Sequence, residues 1–270
     1  MAIFLIITRR GILVNINDFK KIKISNTKFC HYTTISNARN IVSNDGSIYL
    51  SKFSMMNDKD EESAHNDEDD CLFSFSMCHS NAKDIPLFYL YSGIDGKGCR
   101  IEFTKNKLNS IFNGVVVPVN KKMVMLKKSF DPNDYEIMVG WIHYLSNDGT
   151  DYYKRNEYKR YPSLDDAKKE LERINEHYFI KRKYWEYEKE FRIIIKFKQP
   201  VAYDRVAIRF PISRNESGIS MKCGPELSDE ELQDVREEFK DYGIKKIDRF
   251  NDIEIKMDLV SRNKELLKNV

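Results

Sequence analysis

The chain contains no Cys-x-x-Cys pair, no His-Glu-x-x-His and no Gly-x-Ser-x-Gly. These absences leave zinc ribbons, zincin-type metal hydrolysis and the hydrolase nucleophile elbow without support. Cysteine is sparse and odd in number, five scattered residues (Cys30, Cys71, Cys78, Cys99, Cys223). No disulfide framework is indicated, and reduced, mostly buried thiols in a cytoplasmic protein are expected. The apolar run in MAIFLIITRR is too short to span a bilayer. It also lacks the preceding positive charges and small-residue cleavage site of a signal peptide. It reads as a strand, at an edge or pairing in a dimer. Charge of one sign is lacking too: 45 Lys+Arg against 42 Asp+Glu gives +3. Global charge therefore gives no argument for nucleic acid.

Apolar residues are nonetheless plentiful, at 41% hydrophobic and 12% aromatic beside 32% charged. That suffices for a core and falls short of a disorder signature. Local charge is uneven. Residues 52–70 carry Asp58, Asp60, Glu61, Glu62, Asp67, Glu68, Asp69 and Asp70, and basic clusters follow at Lys121/Lys122, Lys127/Lys128, Lys154/Arg155, Lys159/Arg160 and 181–183. Such runs serve as solvated faces or as polyanion contacts. Asp58, Asp60 and Glu62 alternate, but the glycine and bidentate glutamate of a calcium loop are missing, so no metal site is expected.

Periodicity predicts strands at 28–33, 47–51, 71–77 and 99–103. In CLFSFSM, Leu72, Ser74 and Ser76 share one face, and Phe73, Phe75 and Met77 the other. A helix after residue 33 would be capped by Ser36 or Asn37 and bury Ile35, Ala38, Ile41 and Val42. A short helix is expected at 84–92, with Pro86 in its first turn and Gly93 ending it. GIDGKG reads as a turn, since no GK[ST] follows. Further on, the pattern predicts a helix at 105–112, strands at 115–119 and 123–126, and a helical face at 135–146. Capping boxes mark helices after Ser163 and Ser228. Strands at 189–197, 203–210 and 252–257 complete an α+β chain in one domain. The division is 1–27 as an N-terminal strand or extension, 28–257 as the domain and 258–270 as a helical tail.

The stretch 184–197, YWEYEKEFRIIIKF, concentrates the unusual chemistry. With period two, Glu188, Glu190, Arg192, Ile194 and Lys196 point one way and Tyr187, Lys189, Phe191, Ile193, Ile195 and Phe197 the other. Two adjacent acids at a strand entrance repel unless a ligand or cation uses them. The alternative is an edge strand with Glu188 and Arg192 paired in solvent.

KFCHYT, the FSFS strand, FYLYSGIDGKGCRIEF, WEYEKEFRI and ISMKCGPELSDEE occur in that order. This set resembles the bacterial family called domain of unknown function 2971, over roughly residues 28 to 257. The chain departs from the family's pattern in having Phe88 for a tryptophan and Lys59 for a proline. That family in turn resembles the ADP-ribosyltransferase superfamily, which has a split β-sheet around an NAD cleft.

The resemblance implies an α+β fold with an ADP-ribosyltransferase-like split β-sheet and flanking helices. It implies His31 as the first-strand residue that orients the NAD ribose, with Tyr32 and Thr33 beside it, and Tyr91 as the aromatic stacking on nicotinamide. Glu190 is implied as the carboxylate at the sugar, Glu188 as its helper toward the acceptor, and Arg192 as a phosphate ligand or partner of Glu188. Breaking the nicotinamide–ribose bond develops an oxocarbenium-like cation, which a fixed carboxylate stabilises. The expected activity is thus NAD-dependent ADP-ribosyl transfer to a nucleic acid or protein, with NAD as co-substrate and no metal. A toxin-like or phage-defence effector, with an antitoxin or defence-system partner and no membrane, is the expected setting. An inactive nucleotide- or nucleic-acid-binding module and an NAD glycohydrolase are the alternatives.

Overall fold

Phe73, Phe75 and Met77 alternate with Ser74, Ser76 and Cys78, giving a strand with one largely aromatic face and one small, polar face. In the computed structural model this strand lies between the others of the main sheet. The structure describes residues 4–7, 13–15, 28–42, 46–55, 70–80, 82, 84–93, 95–145, 151–154, 157–160, 177–212, 218–242 and 245–246. The strands in chain order are β1 (Phe4–Ile7), β2 (Leu13–Asn15), β3 (Phe29–Thr33), β4 (Ser47–Lys52), β5 (Leu72–His79), β6 (Cys99–Phe103), β7 (Val115–Val119) and β8 (Tyr135–Trp141). They continue with β9 (His143–Leu145), β10 (Asp151–Lys154), β11 (Glu157–Arg160), β12 (Ile180–Arg182), β13 (Glu190–Phe197), β14 (Arg205–Arg209), β15 (Ile219–Cys223) and β16 (Lys245–Lys246). The helices are α1 (Ile35–Val42), α2 (Asp84–Tyr91), α3 (Lys105–Phe112) and α4 (Asp229–Glu238).

The main sheet runs β16-β15-β6-β3-β5-β13-β8-β1-β2, and a branch of β4, β14 and β7 leaves it at β5. One side of β5 is covered from Leu72 to Cys78 by antiparallel β13. Its other side is shared. Here β3 takes Cys78 and His79, while β4 takes Phe73 and Ser74. The sheet therefore divides along residues 75–77. Cross-strand partners share a face, so Phe29, His31, Phe75, Met77, Phe191 and Ile193 face one way. They meet Ala38 and Ile41 of α1, Leu108 and Ile111 of α3, and Leu232 and Val235 of α4 in the main core. Fully burying each such aliphatic or aromatic side chain contributes about 1.5–3 kcal/mol. The opposite face carries Cys30, Tyr32 and Cys78 under α2, and Leu72, Met138 and Ile194 under the small sheet β11-β10-β9-β12.

The mixed α/β architecture and the strands at 29–33, 47–52, 72–79, 99–103 and 190–197 agree with the sequence reading. Four expectations are corrected. The helical face expected at 135–146 is instead β8 and β9. β8 sits between β13 and β1, and its run Ile137–Gly140 is buried on both faces, which defeats periodicity. Residues 123–126 make one bridge, Val119 to Met125, in place of a strand. There the Asn120 side chain accepts from the amides of Lys122 and Val124, and Met123 adopts φ 60°. The cap of α1 is Thr34, whose hydroxyl accepts from the Asn37 amide, in place of Ser36 or Asn37. The segment before β13 is a 3-10 turn, Lys183–Glu188, ended by Lys189 at φ 45°. The period-two reading therefore begins at Glu190.

The Ser228/Glu231 capping box is present at α4. The expected helix after Ser163, the strand at 252–257, the tail 258–270 and the alternating acids at 58–62 lie outside the described residues. Within 1–27, β1 pairs with β8 and β2, so among the described strands β2, rather than β1, is the edge. GIDGKG closes a tight backbone crossing: a Cβ on Gly224 would stand 2.0 Å from the Gly96 carbonyl oxygen, and one on Gly98 2.2 Å from that of Ser92. These glycines serve close approach of main chains.

Candidate functional site

Glu190 is the first residue of β13, held there because its amide donates to the Tyr144 hydroxyl at 2.9 Å and its carbonyl accepts from the Ile142 amide at 2.9 Å. Its side chain lies on the α2 face of the sheet, next to Ser76 and two residues before Arg192. Arg192 Nε donates to Glu190 Oε1 at 2.9 Å and Nη2 to Oε2 at 3.2 Å, a two-point grip. Ser76 Oγ donates to Oε1 at 2.5 Å, and Lys181 Nζ lies 2.8 Å from Oε2. Arg192 is itself anchored by Nη1 on the Tyr178 carbonyl at 3.0 Å, with its guanidinium over the Phe53 ring.

Glu188 ends the 3-10 turn and reaches the same lysine. Lys181 Nζ donates to Glu188 Oε2 at 3.0 Å, and the Tyr91 hydroxyl donates to Oε1. Glu188, Glu190 and Arg192 are at most 3% exposed and Lys181 9%. Two acids and two cations thus form a buried, charge-balanced quartet. Burying four charges is costly, and good geometry is what repays it.

The two carboxyls are driven apart in proton affinity. Burial works to raise Glu190, but Arg192 and Lys181 overcome it and hold the group down at about 2. Burial, reinforced by the Glu190 charge and opposed by Lys181, raises Glu188 above its ordinary value. Burial together with the Glu188 charge drives the Tyr91 phenol far up, so it stays a hydrogen-bond donor. Tyr144 and Cys78 rise as well, burial first and the carboxylates next.

His31 lies on the other face. In the division of the sheet its Nδ1 donates to the Ser76 carbonyl at 2.9 Å, and its ring packs on Phe75 with centroids 4.2 Å apart. Burial lowers its pKa to about 4, against the pull of that carbonyl. The ring is neutral at pH 7, with Nε2 left as an acceptor. His31 and Thr33 line a cavity of about 170 Å³ with Asn37, Asn40, Tyr49 and Arg205.

Residues 88–193 match the family described as Protein of unknown function (DUF2971). The motif resemblance is to this same family. The match takes in Tyr91, Lys181, Glu188, Glu190 and Arg192, and leaves His31, Tyr32, Thr33 and Ser76 outside its limits. No curated protein and no solved structure matches the chain.

Of the residues implied for the site, the structure brings together Glu188, Glu190, Tyr91 and Arg192. Tyr32 shares their face and packs edge-on against Phe88 at 5.1 Å. His31 and Thr33 turn to the opposite face. Arg192 pairs with Glu190, where the sequence reading offered a phosphate or Glu188. Sequence reasoning missed Lys181, which it counted only in a basic cluster, and Tyr144. It placed Ser76 on the correct face without assigning it a partner.

Proposed function

We propose that the chain is an NAD-dependent ADP-ribosyltransferase passing ADP-ribose to a nucleic-acid or protein acceptor, the activity its motif set implies. The observation carrying the reading is the meeting of Glu188 and Glu190 on Lys181 with opposite proton affinities. Paired titratable groups pushed apart in this way mark an acid–base division of labour. Glu190 keeps its charge and would face the developing ribose cation, with Ser76 and Arg192 fixing its orientation. Glu188, the more proton-avid group, would take the proton of the acceptor nucleophile. The bond between nicotinamide N1 and ribose C1′ breaks with its electron pair going to nicotinamide, and the acceptor lone pair forms the new bond at C1′. For a sugar to reach the carboxylates, Tyr91 must leave Glu188, so its ring lies where it could then stack on the departing nicotinamide. The division of the sheet at β5 supports an ADP-ribosyltransferase-like split sheet. A cytoplasmic toxin-like or phage-defence effector, with an antitoxin or defence-system partner, is the setting that goes with this reading.

The test is incubation of the chain with labelled NAD and separate RNA, DNA and protein fractions of a lysate. Released nicotinamide with label on one fraction, lost in Glu188→Gln, supports the proposal. Free ADP-ribose without a labelled macromolecule identifies an NAD glycohydrolase instead. Neither product from a folded chain sinks the proposal.

A second reading has its own observation. Every oxygen of the Glu190 carboxylate is already engaged by Arg192, Lys181 or Ser76. On this reading the quartet is structural and the chain is a nucleotide- or nucleic-acid-binding module without turnover. Saturable NAD binding with no nicotinamide release distinguishes it.

A further inference from the structure

The division of the sheet leaves a notch between β3 on one side and β4 and β14 on the other, with Phe75 of β5 at its floor. The polar groups that converge there are His31 and Thr33 from β3, Asn37 and Asn40 from α1, Tyr49 and Ser51 from β4, and Arg205 from β14. Arg205 is their cation. Its Nη1 is directed at the Met123 sulfur, and among the described residues no carboxylate pairs with it. A thioether is a weak acceptor, whereas a guanidinium is shaped for two-point binding of an oxyanion. Met123 itself holds φ 60°, a conformation costly for a residue with a side chain, on the wall of the same cavity. A guanidinium resting on a sulfur, a strained residue supplying that sulfur, and a ring of neutral hydrogen-bonding groups together leave the cavity short of an anionic acceptor.

The cavity measures about 170 Å³, and a cavity of roughly 150 Å³ in another protein accommodates benzene. One ring, or one phosphate group, fits inside. The His31 and Phe75 rings, in contact at a 32° tilt, give the wall an aromatic surface, and the neutral imidazole adds no second charge.

We propose that this notch binds a small oxyanion on a body of about one ring, with Arg205 gripping the oxyanion in place of the Met123 sulfur and Thr33, Asn37 and Asn40 completing its hydrogen bonds. No residue of the carboxylate quartet lines the cavity: His31, Thr33 and Phe75 reach it from the face opposite Glu190, whereas Ser51, paired with Ser74, and with it Tyr49 and Arg205 reach it from the face that also bears Glu190.

The experiment is isothermal titration of the full chain with benzoate, its neutral isostere benzamide, and inorganic phosphate. Benzoate is expected to bind at least about 10-fold more tightly than benzamide, and Arg205→Gln to weaken it by about 10- to 100-fold, the range for hydrogen bonds to a charged group. Asn37→Ala, at an exposed position of α1, is expected to weaken benzoate binding without altering the fold. Glu188→Gln should leave the affinity unchanged, which separates this proposal from the transferase reading. Phosphate binding lost in Arg205→Gln, without benzoate binding, assigns the notch to phosphate groups and upholds the oxyanion site. Equal affinity for benzoate and benzamide overturns the proposal. So does binding that survives both Arg205→Gln and Asn37→Ala, or no binding of benzoate or phosphate to the native chain.

Discussion

His31 and Glu190 lie on opposite faces of the central sheet and are joined through one residue. The Ser76 carbonyl accepts from His31 Nδ1 at 2.9 Å, and the Ser76 hydroxyl donates to Glu190 Oε1 at 2.5 Å. The carbonyl falls in residues 75–77, where β3 and β4 part, so the imidazole satisfies a main-chain group that no strand among the described residues pairs on that side. The hydroxyl, pointing the other way, orients the carboxylate that Arg192 and Lys181 hold.

Because that carboxylate balances Arg192 and Lys181, its removal should be felt in stability before catalysis is considered. Glu190→Gln leaves two buried cations facing Glu188 alone. The expected loss is about 3–5 kcal/mol, the cost of breaking a buried ion pair from one side. Replacing Glu190 and Arg192 together by leucine should cost far less than the two single changes summed. Urea denaturation of Glu190→Gln, Glu190→Leu, Arg192→Leu and the double leucine variant measures both.

His31 sets an acid limit on stability. Its folded pKa of about 4 is below the ordinary 6.5, so the unfolded chain binds the proton first as pH falls. Stability is then full above pH 6.5 and declines between pH 6.5 and 4, by up to about 3 kcal/mol. Glu190 and Glu102, both held near 2, add a later loss as pH falls from about 4.5 toward 2. A His31→Gln variant should show no decline in the upper window when melting temperature is followed against pH.

Under the transferase reading, Glu188 acts as its carboxylate. Its raised proton affinity moves the acid limb of kcat/KM above the ordinary 4.5 of a glutamate, with activity rising as pH climbs through that limb. Tyr91→Phe removes a donor that favours the charged form, so the limb should move to higher pH still. A limb at or below 4.5 in nicotinamide release, unmoved in Tyr91→Phe, would contradict the assignment.

Thiol reactivity should follow burial. Cys30, Cys78, Cys99 and Cys223 are buried, Cys71 is partly exposed, and burial holds the Cys78 and Cys99 thiols up. Iodoacetamide at pH 8 should label Cys71 in the native chain and spare the other four until denaturant is added, as read by mass spectrometry of peptides.

Strands with one apolar and one polar face, such as β5, where serine alternates with phenylalanine, were legible in the sequence, as was the short valine run of β7 between Gly114 and Asn120. β8 was not, because an interior strand with an apolar neighbourhood on both sides has the same composition as a buried helix. At the site, Glu188 and Glu190 were legible from their spacing and aromatic company. Lys181 was not, since only the 3-10 turn at 183–188 folds it back onto both acids. Arg205 and Asn37 were illegible for a related reason: β14 reaches the notch by pairing with β4, a juxtaposition no local spacing encodes.

The strand order also decides how the chain can be cut. Within 88–193, β8 and the first half of β13 adjoin one another, but β5, the other neighbour of β13, lies outside, as do both neighbours of β6. A fragment trimmed to those limits would present β6 with two bare edges and β13 with one, the arrangement that templates aggregation. Expression boundaries should therefore enclose β1 through β16, since β1 covers β8 and β16 covers β15, and the tyrosine-threonine strand and the glycine-proline turn then travel with the acids between them.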